Sequence, residues 1–139
     1  LNEPRTDLRT LGLIAAGGAI GTLLRYELGH AVPVRGADFP TTTMLINITG
    51  ALLLGLLLGG LGRHRPSDTT WRPLIGVGVL GGFTTFSTFA LESVQLARVD
   101  HAVTGALYVV ASIGLGLLAA RLGERIVGAT PALIPEDET

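Results

Sequence analysis

The 139-residue sequence predicts an all-α membrane protein of four spanning helices, and three observations carry that prediction. Charged residues make up only 15% of the chain against 47% hydrophobic ones, whereas soluble domains average about 25% charged. Three stretches, Thr42 to Leu61, Leu74 to Leu91 and Ala102 to Ala120, carry no charge at all. Each is close to the roughly 20 apolar residues that cross a bilayer. Glycine is abundant, at 20 residues, while aromatics are 5%. That mixture packs a soluble core poorly but lets membrane helices approach closely. A soluble bundle would need a polar face on each helix, and these runs have none.

The elements follow in order. The first span, about residues 8–28, is the weakest, because Arg9 opens it and Arg25 and Glu27 stand near its end. The others are expected at about 42–61, 74–97 and 102–122. His30 to Thr41 links the first two spans through the turn residues Pro33, Gly36 and Pro40. Gly62 to Pro73 forms a polar second loop, and Arg98 to His101 leaves room only for a tight turn. Residues 1–125 make one unit, and 126–139, ending Pro135-Glu136-Asp137-Glu138-Thr139, read as a disordered tail. The chain opens at Leu1 and not Met, which leaves room for native residues ahead of it.

Composition also excludes functions. A net charge of −1 gives no reason to expect a nucleic-acid partner. Without cysteine there is no disulfide, thiol catalyst or thiolate metal site. His30, His64 and His101 fall in predicted loops, and no nucleophile–base pair is visible, so an enzyme is not expected.

All ten basic residues are arginines. With four spans, Arg5, Arg9, Arg63, Arg65, Arg72, Arg121 and Arg125 share one side, against Arg35 and Arg98 opposite. Positive-inside bias then predicts both termini in the cytoplasm.

Polar residues inside spans are expensive and usually functional. The second span carries Asn47 and Thr49, the fourth Tyr108 and Ser112, and the first ends in Arg25-Tyr26-Glu27. A hydroxyl can bond back to its own helix, but an asparagine amide cannot be fully satisfied that way. The third span runs Gly81-Gly82-Phe83-Thr84-Thr85-Phe86-Ser87-Thr88-Phe89, followed by Glu92. Paired glycines and threonines are poor helix material and suggest a broken helix. Membrane proteins tolerate such breaks only where protein or water covers them, and transporters bind ions there. Free carbonyls suit a hard cation such as Na⁺, and free amides suit an anion. Gly17 and Gly21, Gly55 and Gly59, and Gly78 and Gly82 are small-xxx-small pairs fitted to helix packing.

Three of these stretches together resemble the Fluc (CrcB) fluoride channels: Gly17 to Gly21 with Arg25-Tyr26, Asn47-Ile48-Thr49-Gly50, and Gly81 to Phe89 with Glu92. Their order and spans match, and the resemblance covers nearly all of the chain. It implies a cell-membrane channel exporting fluoride passively, built as an antiparallel, dual-topology dimer with two pathways between the subunits. By the same resemblance, backbone carbonyls of Gly81 and Thr84 from both subunits would hold one central Na⁺. Phe86 and Phe89 would line the pathway, Asn47 would donate a hydrogen bond, and Ser87, Tyr108 and Ser112 would form a polar track. Arg25 would sit near a pathway mouth. Glu92 matches a motif position without an assigned role. The arginine bias sits awkwardly with a chain that must insert both ways, so a paralogous heterodimer stands beside the homodimer. Two other classes remain: a small multidrug-type exporter, which needs a carboxylate deep in the membrane, and a non-transporting assembly subunit, which needs no broken helix.

Overall fold

The computed structural model describes residues 7–32, 39–64, 68–98 and 102–128. Asp7 starts the first helix: its carboxylate accepts the Thr10 amide at 2.7 Å, the usual way of satisfying an amide in a first helical turn. Hydrogen bonds from Thr10, through its hydroxyl and its amide, hold the Asp7 carboxyl below the ordinary carboxylate value. Helix α1 runs Leu8–Ala31 and α2 runs Thr41–His64. The Asp68 carboxylate then accepts the amides of Thr70 at 3.2 Å and Arg72 at 2.9 Å. Helix α3 follows, a widely wound π-helical stretch Arg72–Leu80 continued by one α-turn, Gly81–Phe83. Pro73 falls in its first turn, where its missing amide costs nothing. Helix α4 is Phe86–Arg98 and α5 is Ala102–Gly128.

Among the described residues, four segments are long and apolar enough to cross a membrane, Leu8–Ala31, Thr41–Gly62, Arg72–Arg98 and Ala102–Gly128. The helices outrun the charge-free runs. Helix α1 continues through Arg25, Glu27 and His30, and α2 continues to His64, so those two histidines are helical and not in loops. Helix α5 carries on past Arg121, Glu124 and Arg125, so residues 126–128, read from sequence as tail, belong to it. Charge-free length measures the hydrocarbon layer, and a helix needs no such restriction in the headgroup region. The remaining tail, Arg5, Pro33, Arg35, Gly36, Arg65 and His101 lie outside the described residues.

Packing follows glycine. Helices α1 and α3 run parallel, with Gly17 against Gly78, Gly18 against Gly82, and Gly21 against Val79 and Phe83. Helices α2 and α5 also run parallel, with Gly55 on Ala120, Gly59 on Glu124, and Gly123 on Leu52 and Leu56. All three small-xxx-small pairs therefore lie where two backbones meet. Helix α4 leaves α1 and packs on α5, Leu96 resting against Gly105. Large apolar side chains such as Leu23, Val103, Val110 and Leu118 point outward. That distribution suits lipid, which offers them no hydrophobic penalty, and leaves helix association to close van der Waals contact.

A methyl group at Gly55 would lie 2.9 Å from the Ala120 carbonyl carbon, a rigid backbone atom. Overpacking of this kind costs about 1–3 kcal/mol. Gly55→Ala is expected to lower the melting temperature of the purified protein. Gly12→Ala, with nothing within 4 Å of the new methyl, should not. Equal melting of the two variants would contradict the α2–α5 contact.

Candidate functional site

The site residues gather where the helical path is left, at Thr84 and Thr85. The Leu80 carbonyl accepts both the Thr84 amide at 3.0 Å and its hydroxyl at 2.9 Å. Thr84 then turns extended, at φ −75° and ψ 161°. The next amide, of Thr85, donates not to Gly81 but to Asn47 Oδ1 at 2.8 Å. Asn47 Nδ2 donates in return to the Thr85 carbonyl at 3.0 Å. Thr85 Oγ1 accepts the Thr88 amide at 3.1 Å and so caps α4. From the other side Arg25 Nε donates to the Gly82 carbonyl at 3.1 Å. Side chains from α1 and α2 thus take up backbone groups that a continuous helix would have paired, as a buried polar backbone requires.

Two cavities open on either side. The first, about 410 Å³, is lined by Asn47, Gly81, Thr84, Thr85, Phe86, Phe89 and Ser112 among others. Phe86 is 80% exposed on this face, its ring 6.0 Å from that of Phe89. Ser112 is buried, and its Oγ is the one side-chain polar atom of that kind without a hydrogen-bond partner among the described residues. The second cavity, about 490 Å³, is the more polar of the two, with Arg25, Tyr26, His30, Thr43, Thr88 and Glu92 in its wall. Thr85 lines both.

Glu92 ties three helices together. Its Oε1 accepts the Thr43 hydroxyl of α2 at 2.8 Å, and its Oε2 accepts the Tyr108 hydroxyl of α5 at 2.7 Å. Tyr108 is fully buried, its ring 5.3 Å from Phe89 and 5.5 Å edge-on to Phe39. Removing a partner from a buried polar group costs about 1–3 kcal/mol. Tyr108→Phe and Glu92→Leu are each expected to destabilise the protein by at least that amount in a thermal melt. The double variant should lose less than the sum of the two, because both delete the Tyr108–Glu92 bond; full additivity would contradict the pairing.

Of the residues named from sequence, Asn47, Gly81, Thr84, Phe86, Phe89 and Ser112 meet at the first cavity. Arg25 belongs to the second. Ser87 stands beside the Thr85 hydroxyl at 3.3 Å, and Tyr108 faces Glu92. Thr43, Thr85 and Phe39 join the site without a role legible in the sequence. Phe39 lies in the predicted first loop and Thr43 at the start of the second span, and their proximity to Glu92 and Tyr108 exists only in three dimensions.

The profile of the family described as "CrcB-like protein, Camphor Resistance (CrcB)" matches residues 12–124. The chain is 46% identical over 117 residues to the "Fluoride-specific ion channel FluC 2" of Rhodococcus jostii (strain RHA1), covering 84% of this chain and 97% of that one. It is 41% identical over 126 residues to the "Fluoride-specific ion channel FluC" of Sphingopyxis alaskensis, covering 90% and 100% respectively. A "Fluoride-specific ion channel FluC 2" from Bacillus thuringiensis subsp. konkukian is 43% identical over 117 residues, 84% of this chain and 95% of its own. Matched along nearly its whole spanning region, the chain belongs to the CrcB family, whose curated relatives are named as fluoride-specific ion channels and not as enzymes.

Proposed function

We propose that this chain is a subunit of a fluoride channel, letting the anion leave the cell passively across the cytoplasmic membrane. Two copies pair antiparallel, with two pathways between them and one Na⁺ at the centre. The observation that carries this reading is Ser112: a buried hydroxyl without a partner, facing a cavity that also holds Phe86, Phe89 and Asn47. An unpaired buried hydroxyl is costly, and a small anion is a natural acceptor for it. Aromatic rings have a positive edge, so Phe86 and Phe89 can meet fluoride without holding it tightly. Conduction needs binding weak enough to release.

The pairing is supported by Gly81. Its backbone is ordinary right-handed helix, and a methyl there would meet nothing of this chain within 4 Å. The bare backbone suits close approach by a second copy.

The break fits a hard cation. The amide that would have paired with the Gly81 carbonyl is held by Asn47, and the one for Thr84 is held by Thr85 Oγ1. Backbone oxygens without amides are the ligands that Na⁺-sized hard cations prefer. When bound, the cation offsets anion charge in a low-dielectric centre.

The exporter alternative finds less support, because both oxygens of Glu92 already accept hydroxyls from α2 and α5. The test is fluoride efflux from liposomes holding this chain alone. Efflux of fluoride far above that of chloride is expected; the absence of fluoride efflux would overturn the reading.

A further inference from the structure

Asn47 spends its amide on the backbone of a single residue. Oδ1 accepts the Thr85 amide at 2.8 Å and Nδ2 donates to the Thr85 carbonyl at 3.0 Å. This two-point grip resembles the pairing of two residues across an antiparallel ladder. The gripped amide is the one that an uninterrupted helix would send to Gly81. One residue on, Thr85 Oγ1 takes the Thr88 amide at 3.1 Å, the one that would otherwise reach the Thr84 carbonyl. Two side chains therefore hold two amides off two carbonyls. Arg25 does not share this task, since it supplies a donor to the Gly82 carbonyl and so removes that oxygen from competition.

We propose that Asn47 and Thr85 are positioning residues for the cation site: they keep the Gly81 and Thr84 carbonyls free by capturing the amides that would close the helix over them. This rests on the cation reading given above. It assigns Asn47 a role distinct from contact with an anion. The side-chain amide has two donor hydrogens, and the Thr85 carbonyl uses one, so the second is free to face the cavity that Asn47 lines. Without the grip, the Thr85 amide falls back on Gly81 and the helix heals by one turn. A healed helix offers one carbonyl fewer to the ion from each subunit. No cluster of three acidic or histidine side chains stands in for it among the described residues.

Flux cannot test this, because Asn47 lines the conducting cavity in any case. The readout is the Na⁺ dependence of the melting temperature, measured on the purified dimer with a large organic cation replacing Na⁺. A ligand that binds the folded form raises the melting temperature with concentration, so each variant yields a midpoint for Na⁺. Asn47→Ala and Thr85→Val are each expected to raise that midpoint tenfold or more. Thr85→Ser, which keeps the capping hydroxyl, is expected to restore the native midpoint. A lower melting temperature with an unchanged midpoint would mean a merely structural role and would overturn the proposal. An equal shift in Thr85→Ser and Thr85→Val would overturn it too. If Asn47→Ala fails to fold, the Thr85 pair decides alone. Native protein whose melting ignores Na⁺ would instead sink the cation reading itself, which keeps the two failures apart.

Discussion

Replacing Phe86 or Phe89 with isoleucine is expected to cut fluoride efflux about a hundredfold while the protein stays folded. That factor corresponds to about 2.7 kcal/mol of lost barrier lowering. Isoleucine keeps much of the apolar bulk but has no ring quadrupole, so the substitution removes the positive edge that an anion can meet. The two positions differ in their surroundings. Phe86 is 80% exposed on the cavity face, so its replacement disturbs little within the subunit, and the melting temperature of Phe86→Ile should stay near native. The half-buried Phe89 ring lies tilted 5.3 Å from that of Tyr108, and an aromatic pair contributes about 0.5–1.5 kcal/mol beyond its area. Phe89→Ile should therefore lose stability as well as flux. Liposome efflux and thermal melts on the same preparations check both parts. Native flux in both single variants would remove the rings from the pathway.

The spans were legible because the charge-free runs are a direct imprint of hydrocarbon thickness. Their ends were not, since Arg25, Glu27, Glu124 and Arg125 sit on helices that continue past the charge-free runs. The glycines Gly81 and Gly82 stand in this segment for a reason partly different from poor helix propensity. Both glycines are helical, and Gly82 is bare because its missing methyl would lie 2.5 Å from the Gly18 carbonyl oxygen. The departure from the helix comes later, at Thr84, with Asn47 of α2 gripping the residue after it. No local propensity encodes a bond between residues so far apart in sequence. Glu92 is a similar case. A carboxylate near a span was visible, but its partners Thr43 and Tyr108 come from two other helices. Phe86, Phe89 and Ser112 were readable as a group only through resemblance, and spacing along α4 and α5 could not place them on one cavity.

Orientation gives the second large effect. Arg9 Nη2 donates to Thr70 Oγ1 at 2.8 Å, which sets the start of α1 beside the start of α3. Gly59 packs on Glu124, which sets the carboxyl ends of α2 and α5 side by side. The same end thus collects Arg9, Arg72, Arg121 and Arg125, while Arg98 lies at the other. Positive-inside bias acts on each chain as it inserts and favours that end in the cytoplasm. An antiparallel homodimer requires half the chains to defy it. The chain has no cysteine, so Thr69→Cys, an exposed position at the arginine-rich end, gives a unique label site. Treated in intact cells with a membrane-impermeant thiol reagent, this variant is expected to label in a substantial fraction and stay protected in the rest. Complete protection, joined to no flux from the lone protein, would overturn the homodimer and require an oppositely biased paralogue as partner. Complete protection with normal flux would overturn antiparallel pairing altogether, because every conducting subunit would then face the same way.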